Sequence, residues 1–179
     1  LCSNQSNTRQ HPLLVGTTGV GKTQILHGLA KRIAEGNVPD ALKGKKLFMV
    51  NTTDLANGGA WGKMWNLEKM LHNIRGYESE AIFFFDELHI AFYKSNRDLG
   101  QKLKTVMDPS PGGLKFCVGA TTIQEHRAFM AKDEAFNRRS HIIEVLPMDP
   151  EETKVAMGQI ISNNLRQVIV EDGVLPLLS

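Results

Sequence analysis

The stretch Gly16-Thr17-Thr18-Gly19-Val20-Gly21-Lys22-Thr23 has the spacing G-x-x-x-x-G-K-[ST], and it limits what this chain can fold into more than any other segment. Glycines at those positions let the backbone wrap tightly enough for successive N–H groups to converge on an anion. A helix that starts directly after the loop turns the positive end of its dipole toward the same anion. Lys22 supplies a charge for the β- and γ-phosphates of a nucleotide, and the Thr23 hydroxyl is a hard oxygen ligand for Mg²⁺. The flanks agree. His11–Val15 is a short apolar run that stops at Gly16, and Ile25, Leu26, Leu29, Ala30 and Ile33 recur at helical spacing over 22–34. Strand, loop and helix in that order predict a phosphate-binding unit, with residues 16–23 in contact with ATP.

A second signal stands downstream of the loop. Ala81–Phe85 is a continuous apolar run that ends in Asp86-Glu87, which predicts a strand buried on both faces with acids at its carboxyl end. Ligands of open α/β sheets bind beyond that end of the strands. There Asp86 can hold Mg²⁺ through water, and Glu87 can polarise an attacking water. Cys117-Val118-Gly119-Ala120-Thr121-Thr122 ends a further strand in two hydroxyls, one of which can help orient that water. Arg138-Arg139 offers guanidinium forks suited to a phosphate carrying developing charge.

The remaining elements complete a repeating pattern. Lys46–Val50 reads as a strand, 56–62 as a Gly-rich loop, 64–75 and 97–107 as helices, and Asp108–Gly113 as a turn. Leu114–Gly119 and His141–Leu146 read as the fourth and fifth strands. Strands alternating with helices predict an α/β fold with a five-stranded parallel sheet flanked by helices. Asp149 can cap a new helix, with Pro150 at its first position and Glu152 completing a capping box. We place a domain boundary at Pro147, giving 1–147 as the large α/β nucleotide-binding part and 148–179 as the beginning of a small helical one.

Composition narrows the function. With 179 residues, 41% hydrophobic and 22% charged, the chain suits one globular domain and part of a second. A net charge of +2 gives no footprint for nucleic acid. No apolar run reaches the roughly 18–20 residues that span a bilayer. Cys2 and Cys117 read as reduced thiols, and the polar start shows no signal peptide, so the expected location is cytoplasmic. Leu1 in place of an initiator Met predicts a piece of a longer protein. His89 and His126 lack companions at metal-ligand spacing, so His89 reads as a packed residue beside the acidic strand end. No G-x-S-x-G elbow is present.

Taken together, these residues resemble the first ATPase domain of the Clp/ClpB-type AAA+ unfoldases and disaggregases. The resemblance runs from about residue 9 to 165. It rests on Gly-Val-Gly-Lys-Thr at 19–23, Gly28 to Ile33, Val38-Pro39, Leu42 to Lys45, Phe85 to His89, Val118 to Thr122, Lys132-Asp133 and Arg138-Arg139. It implies a P-loop NTPase fold followed by the start of a helical lid, in a protein that hydrolyses ATP with Mg²⁺. The full-length protein would form a hexamer that threads unfolded or aggregated polypeptide through its pore. On that resemblance Asp86 and Glu87 are the acidic pair, Thr122 the first sensor, and Arg138 and Arg139 the arginine fingers. Trp61 falls where the family carries its pore-loop Tyr and would grip substrate through apolar and π contacts. The chain departs from the pattern at several places. Thr17-Thr18 replaces a Glu-Pro pair, the pore segment reads Gly-Gly-Ala-Trp-Gly-Lys, Ser140 replaces an aromatic, and Asp108–Gly113 looks inserted. An ATP-binding AAA+ scaffold with weak or no hydrolysis is the alternative, and a DNA-remodelling AAA+ ATPase a further one.

Overall fold

A computed structural model describes residues 10–57, 59–73, 76, 79–108 and 113–164, with side chains throughout except at 59–65 and 159–164. Five strands carry the architecture: β1 (His11–Gly16), β2 (Lys46–Asn51), β3 (Ala81–Asp86), β4 (Cys117–Thr121) and β5 (Ser140–Val145). They pair in the order β2-β3-β4-β1-β5, and each pairing is parallel. A parallel pair cannot be closed by a tight turn, so each connection must cross over a face of the sheet. The crossovers carry α1 (Lys22–Ala34), α2 (Thr52–Ala56), α3 (Gly59–Asn73), α4 (Arg97–Val106), α5 (Ile123–Glu125) and α6 (Glu134–Asn137). The chain divides into two compact units, Leu1–Val145 and Leu146–Ser179. The second contains α7 (Pro150–Asn164).

The central strand explains why the sheet is covered on both sides. Phe83, Phe84 and Phe85 are all 0% exposed. Because side chains alternate along a strand, Phe83 and Phe85 join Leu13, Val15, Leu67, Leu99 and Leu103 in the larger cluster. Phe84 points the other way, to Leu14, Leu26 and Ala120. Each buried Phe contributes on the order of 2–3 kcal/mol of transfer free energy. The face under α1 is the thinner one: Leu26 is buried, Leu29 and Ile33 are half-buried, and Ile25 is 47% exposed.

The helix at the α7 end starts as the sequence predicts. Asp149 N–H donates to Glu152 Oε2 at 3.0 Å and Glu152 N–H donates to Asp149 Oδ1 at 2.8 Å, a reciprocal capping box. Elsewhere the boundaries differ. The segment read as a loop over 56–62 is helical from Gly59 onward. Two glycines cost about 1 kcal/mol each in a helix. Burial of Leu67, with Met70 and Leu71 packed against the core, offsets that and extends the helix toward its start. β4 begins at Cys117 rather than Leu114 and reaches Thr121. Leu114 is buried, but its N–H donates to the Val106 carbonyl at 2.7 Å instead of joining the ladder. β5 ends at Val145, leaving Leu146 70% exposed. Among the described residues, seven short elements give no periodic signal and are absent from the sequence reading: α2, α5, α6, 3-10 turns at Asp40–Leu42, Leu88–Phe92 and Lys94–Asn96, and a π turn at His126–Met130.

Candidate functional site

The carboxyl ends of β1, β3 and β4 open on a cleft of about 700 Å³, within the usual size of ligand pockets. Gly16 ends β1 at a point where a Cβ would meet the Val145 carbonyl oxygen at 2.5 Å, so only glycine lets the chain leave the sheet there. Gly19 and Gly21 then take φ values of 77° and 93°, in the left-handed region. Helix α1 follows with no side-chain cap and no acidic residue in its first turn. Its first N–H groups and the positive end of its dipole are therefore left for an anion. Lys22 Nζ donates to the carbonyls of Gly16 at 3.0 Å and Thr17 at 2.8 Å, which holds the ammonium over the loop with one of its three donors to spare. Thr18, Gly19, Gly21, Lys22 and Thr23 all line the cleft. Thr17 and Val20 serve the shape of the loop, with Val20 N–H donating to Thr17 O at 3.4 Å.

Across the cleft, the register of β2 against β3 brings Asn51 level with Asp86. The Thr23 hydroxyl lies 3.4 Å from Asp86 Oδ2. The other carboxylate oxygen, Oδ1, accepts from Glu87 N–H at 3.0 Å, and the Thr52 hydroxyl donates to the Asp86 carbonyl at 2.6 Å. Asp86 is thus fixed by its own turn, with one oxygen presented beside the Thr23 oxygen. Two hard oxygens at that spacing fit a cation of the Mg²⁺ class.

Glu87 has φ 50° and ψ 42°, and among the described residues it is the one non-glycine in the left-handed region. That conformation costs on the order of 1–2 kcal/mol for a residue with a Cβ. Packing on the next residue holds it. Leu88 is 0% exposed and presses on Gly119, where an added Cβ would meet Leu88 Cδ2 at 2.6 Å and Leu13 Cδ1 at 2.9 Å. The turn leaves the Glu87 carboxylate exposed at the cleft, 3.4 Å from the Thr53 hydroxyl.

At the end of β4, Thr121 is buried and its hydroxyl lies 3.2 Å from His89 Nδ1. His89 Nε2 is 3.1 Å from Glu125 Oε1. Glu125 Oε2 accepts from the Thr122 hydroxyl at 2.7 Å and from Thr122 N–H at 3.3 Å, while Glu125 N–H donates to the Thr122 hydroxyl at 3.2 Å. Thr122 lines the cleft as expected and is at the same time the N-cap of α5. Burial lowers the His89 pKa, against the pull of Glu125, Glu87 and Asp86. Neither His89 nor Glu125 was singled out from the sequence as part of the site. The signal for Glu125 was there: Thr-x-x-Glu is a capping box.

Arg138 and Arg139 lie elsewhere. They precede β5, whose first residue Ser140 pairs with His11 at the start of β1, whereas the loop leaves from Gly16, level with Val145. A six-residue strand at about 3.3 Å per residue separates the two edges by roughly 17–20 Å. Arg139 Nη2 donates to Asp108 Oδ2 at 2.6 Å and Nη1 to the Ala135 carbonyl at 2.7 Å. Arg138 is exposed, and its side chain has no partner among the described residues. Trp61 sits in the first turn of α3, and its side chain lies outside the described residues, as does Cys2.

Comparison with known proteins agrees with this fold. The family model described as "ATPase family associated with various cellular activities (AAA)" matches residues 12–145. The chain is 37% identical over 151 residues to the chaperone protein ClpB of Pseudomonas putida, covering 83% of this chain and 17% of that one. It is 38% identical over 139 residues to ClpB of Corynebacterium glutamicum, covering 74% and 16%. Among solved structures, the Saccharomyces cerevisiae Hsp104–ADP complex superposes with a TM-score of 0.82 at 29% identity, over 97% of this chain and 30% of that one. A closed-state reconstruction of Hsp104 with ATPγS and FITC casein gives 0.72 at 32% identity, over 85% and 26%. The chain thus spans about a sixth of the curated relatives it matches, at 17% and 16%.

Proposed function

The chain belongs to the AAA family of ATPases, and from that premise we propose that it is the first nucleotide-binding domain of a ClpB-like unfoldase or disaggregase that couples ATP hydrolysis to threading of polypeptide. The observation that carries this reading is the cleft that gathers Lys22, Thr23, Asp86, Glu87 and Thr122 at one edge of the sheet. In it the loop N–H groups and Lys22 would bind the phosphates, and Thr23 and Asp86 would hold Mg²⁺, which would supply neutralising charge for the nucleotide. Glu87 orients the attacking water and draws on its proton, with Thr122 beside it. Hydrolysis on this plan is positioning and electrostatics rather than covalent catalysis. The Arg138-Arg139 pair belongs to the same plan through a neighbouring subunit: from an edge about 20 Å from the loop, Arg138 reaches the ATP of another copy in a hexameric ring, and Arg139, held by Asp108, braces it. Trp61 would grip unfolded substrate, and 148–179 would begin the helical lid. Among the described residues no helix is long and apolar enough to cross a membrane, and the proposed setting is the cytoplasm.

The test is ATP turnover by the full-length parent, wild type against Glu87→Gln and Trp61→Ala. Glu87→Gln should lower turnover by about 10²–10⁴-fold while nucleotide still binds. Trp61→Ala should keep turnover and lose unfolding of a model substrate. Wild type that binds ATP without turnover would instead favour a nucleotide-binding scaffold.

A further inference from the structure

The ladder between β3 and β4 stops at Phe85 opposite Gly119. Beyond that pair the two strand ends diverge, and both enter the cleft: Asp86 and Glu87 from one, Thr121 and Thr122 from the other. Here His89 bridges them. It is 3% exposed and reaches Thr121 at 3.2 Å with one ring nitrogen and Glu125 at 3.1 Å with the other. Glu125 in turn holds both the hydroxyl and the N–H of Thr122.

We propose that His89 is a positioning residue for ATP hydrolysis, one that locks the Glu87 turn to the Thr121-Thr122 strand end so that both keep one geometry about the attacking water. This rests on the ATPase reading above. The proposal follows from what the two sides need. Glu87 stands two residues before His89 in a left-handed conformation that its backbone would leave if the following turn came loose. Leu88 anchors that turn toward the core, and His89 anchors it sideways, toward β4. Burial lowers the imidazole pKa and so favours the neutral ring, in which one nitrogen donates and the other accepts. Nε2–H facing the Glu125 carboxylate, with Nδ1 accepting from the Thr121 hydroxyl, satisfies both contacts. That tautomer gives the bridge one direction, and a doubly protonated ring would reverse the Thr121 contact, with Nδ1–H donating to the hydroxyl oxygen. A histidine that only filled space would require neither bond. Its loss would then lower stability and nucleotide affinity together, without acting through Glu87.

The experiment uses the full-length parent and measures kcat and KM for ATP, nucleotide affinity and melting temperature. His89→Ala should lower kcat about 10- to 100-fold, the scale of a displaced catalytic group, with KM and affinity within about 2-fold of wild type. His89→Gln, whose amide nitrogen can still donate to Glu125, should recover part of the loss. In a Glu87→Gln background, His89→Ala should cause a much smaller fall than in wild type, because one of the two groups it positions is already gone. A folded His89→Ala protein with kcat within about 2-fold of wild type overturns the proposal. So does a loss confined to affinity, or one that adds in full to Glu87→Gln. If His89→Ala does not fold, His89→Gln and Thr121→Val carry the same comparison with one bond removed at a time. Wild type without turnover sinks the ATPase reading and this inference with it, whereas active wild type with indifferent His89 variants sinks this inference alone.

Discussion

At the carboxyl edge of the sheet, Thr23, Asp86, His89, Thr121 and Thr122 are bonded to partners within one chain, whereas at the amino edge the adjacent arginines divide. Arg139 is tied to Asp108 and to the Ala135 carbonyl, and Arg138 faces outward with no side-chain partner among the described residues. The first edge is an assembled site. The second presents one cation from a braced support. Two neighbours in sequence with the same side chain are thus held differently: Arg139 fixes the segment, and on the proposed reading Arg138 is the one that would meet an anion from outside the chain.

The sharpest way to break this comparison is to delete each guanidinium in the assembled parent. Arg138→Ala should lower ATP turnover by about 10³-fold or more, the scale of an arginine finger, with no change in melting temperature. Arg139→Ala should instead show as lost stability of about 1 kcal/mol. Equal turnover for the two variants would erase the division. On the opposite edge, Gly119→Ala should destabilise by about 1–3 kcal/mol in denaturant unfolding, because Leu88 and Leu13 occupy the space a methyl needs. A neutral result would mean that the turn at Glu87 is not held by that packing.

The smallest effect tests the support beneath the arginines. Asp133 caps α6 by accepting from Phe136 N–H at 2.9 Å, and Lys104 Nζ is 2.6 Å from its carboxylate. Burial pulls the Asp133 pKa up, but the Lys104 hydrogen bond, the Phe136 N–H and the Lys104 charge together bring it below its ordinary value. Its charge therefore stabilises the fold above the unfolded pKa of about 3.9, and that contribution is lost as pH falls through the lower folded value. Asp133→Asn keeps the cap and removes the charge. Its deficit against wild type, about 1 kcal/mol at most at pH 7, should close in acid. A deficit that persists there would assign the effect to geometry instead of charge.

What could be read from sequence follows the range of each signal. The phosphate loop, the Phe83–Phe85 strand and the Asp149–Glu152 cap are set by residues a few positions apart, and the structure shows them where they were expected. The start of α3 was misread because Gly58 and Gly59 signal a loop locally, while the packing that keeps the segment helical comes from other elements. The bridge between His89 and Thr121 spans 32 residues, and that between Arg139 and Asp108 spans 31. Neither has a spacing that a linear reading could recognise.

The left-handed backbone at Glu87 bears on how this domain could be improved by selection. Glycine rests comfortably in that conformation and glutamate does not. If Glu87 has the role proposed for it, variants chosen only for resistance to heat would drift toward glycine at position 87 and arrive at hardier proteins that bind nucleotide and leave it intact. Any screen for a sturdier form of this chain must therefore score turnover alongside survival, because at this position the two criteria reward opposite residues.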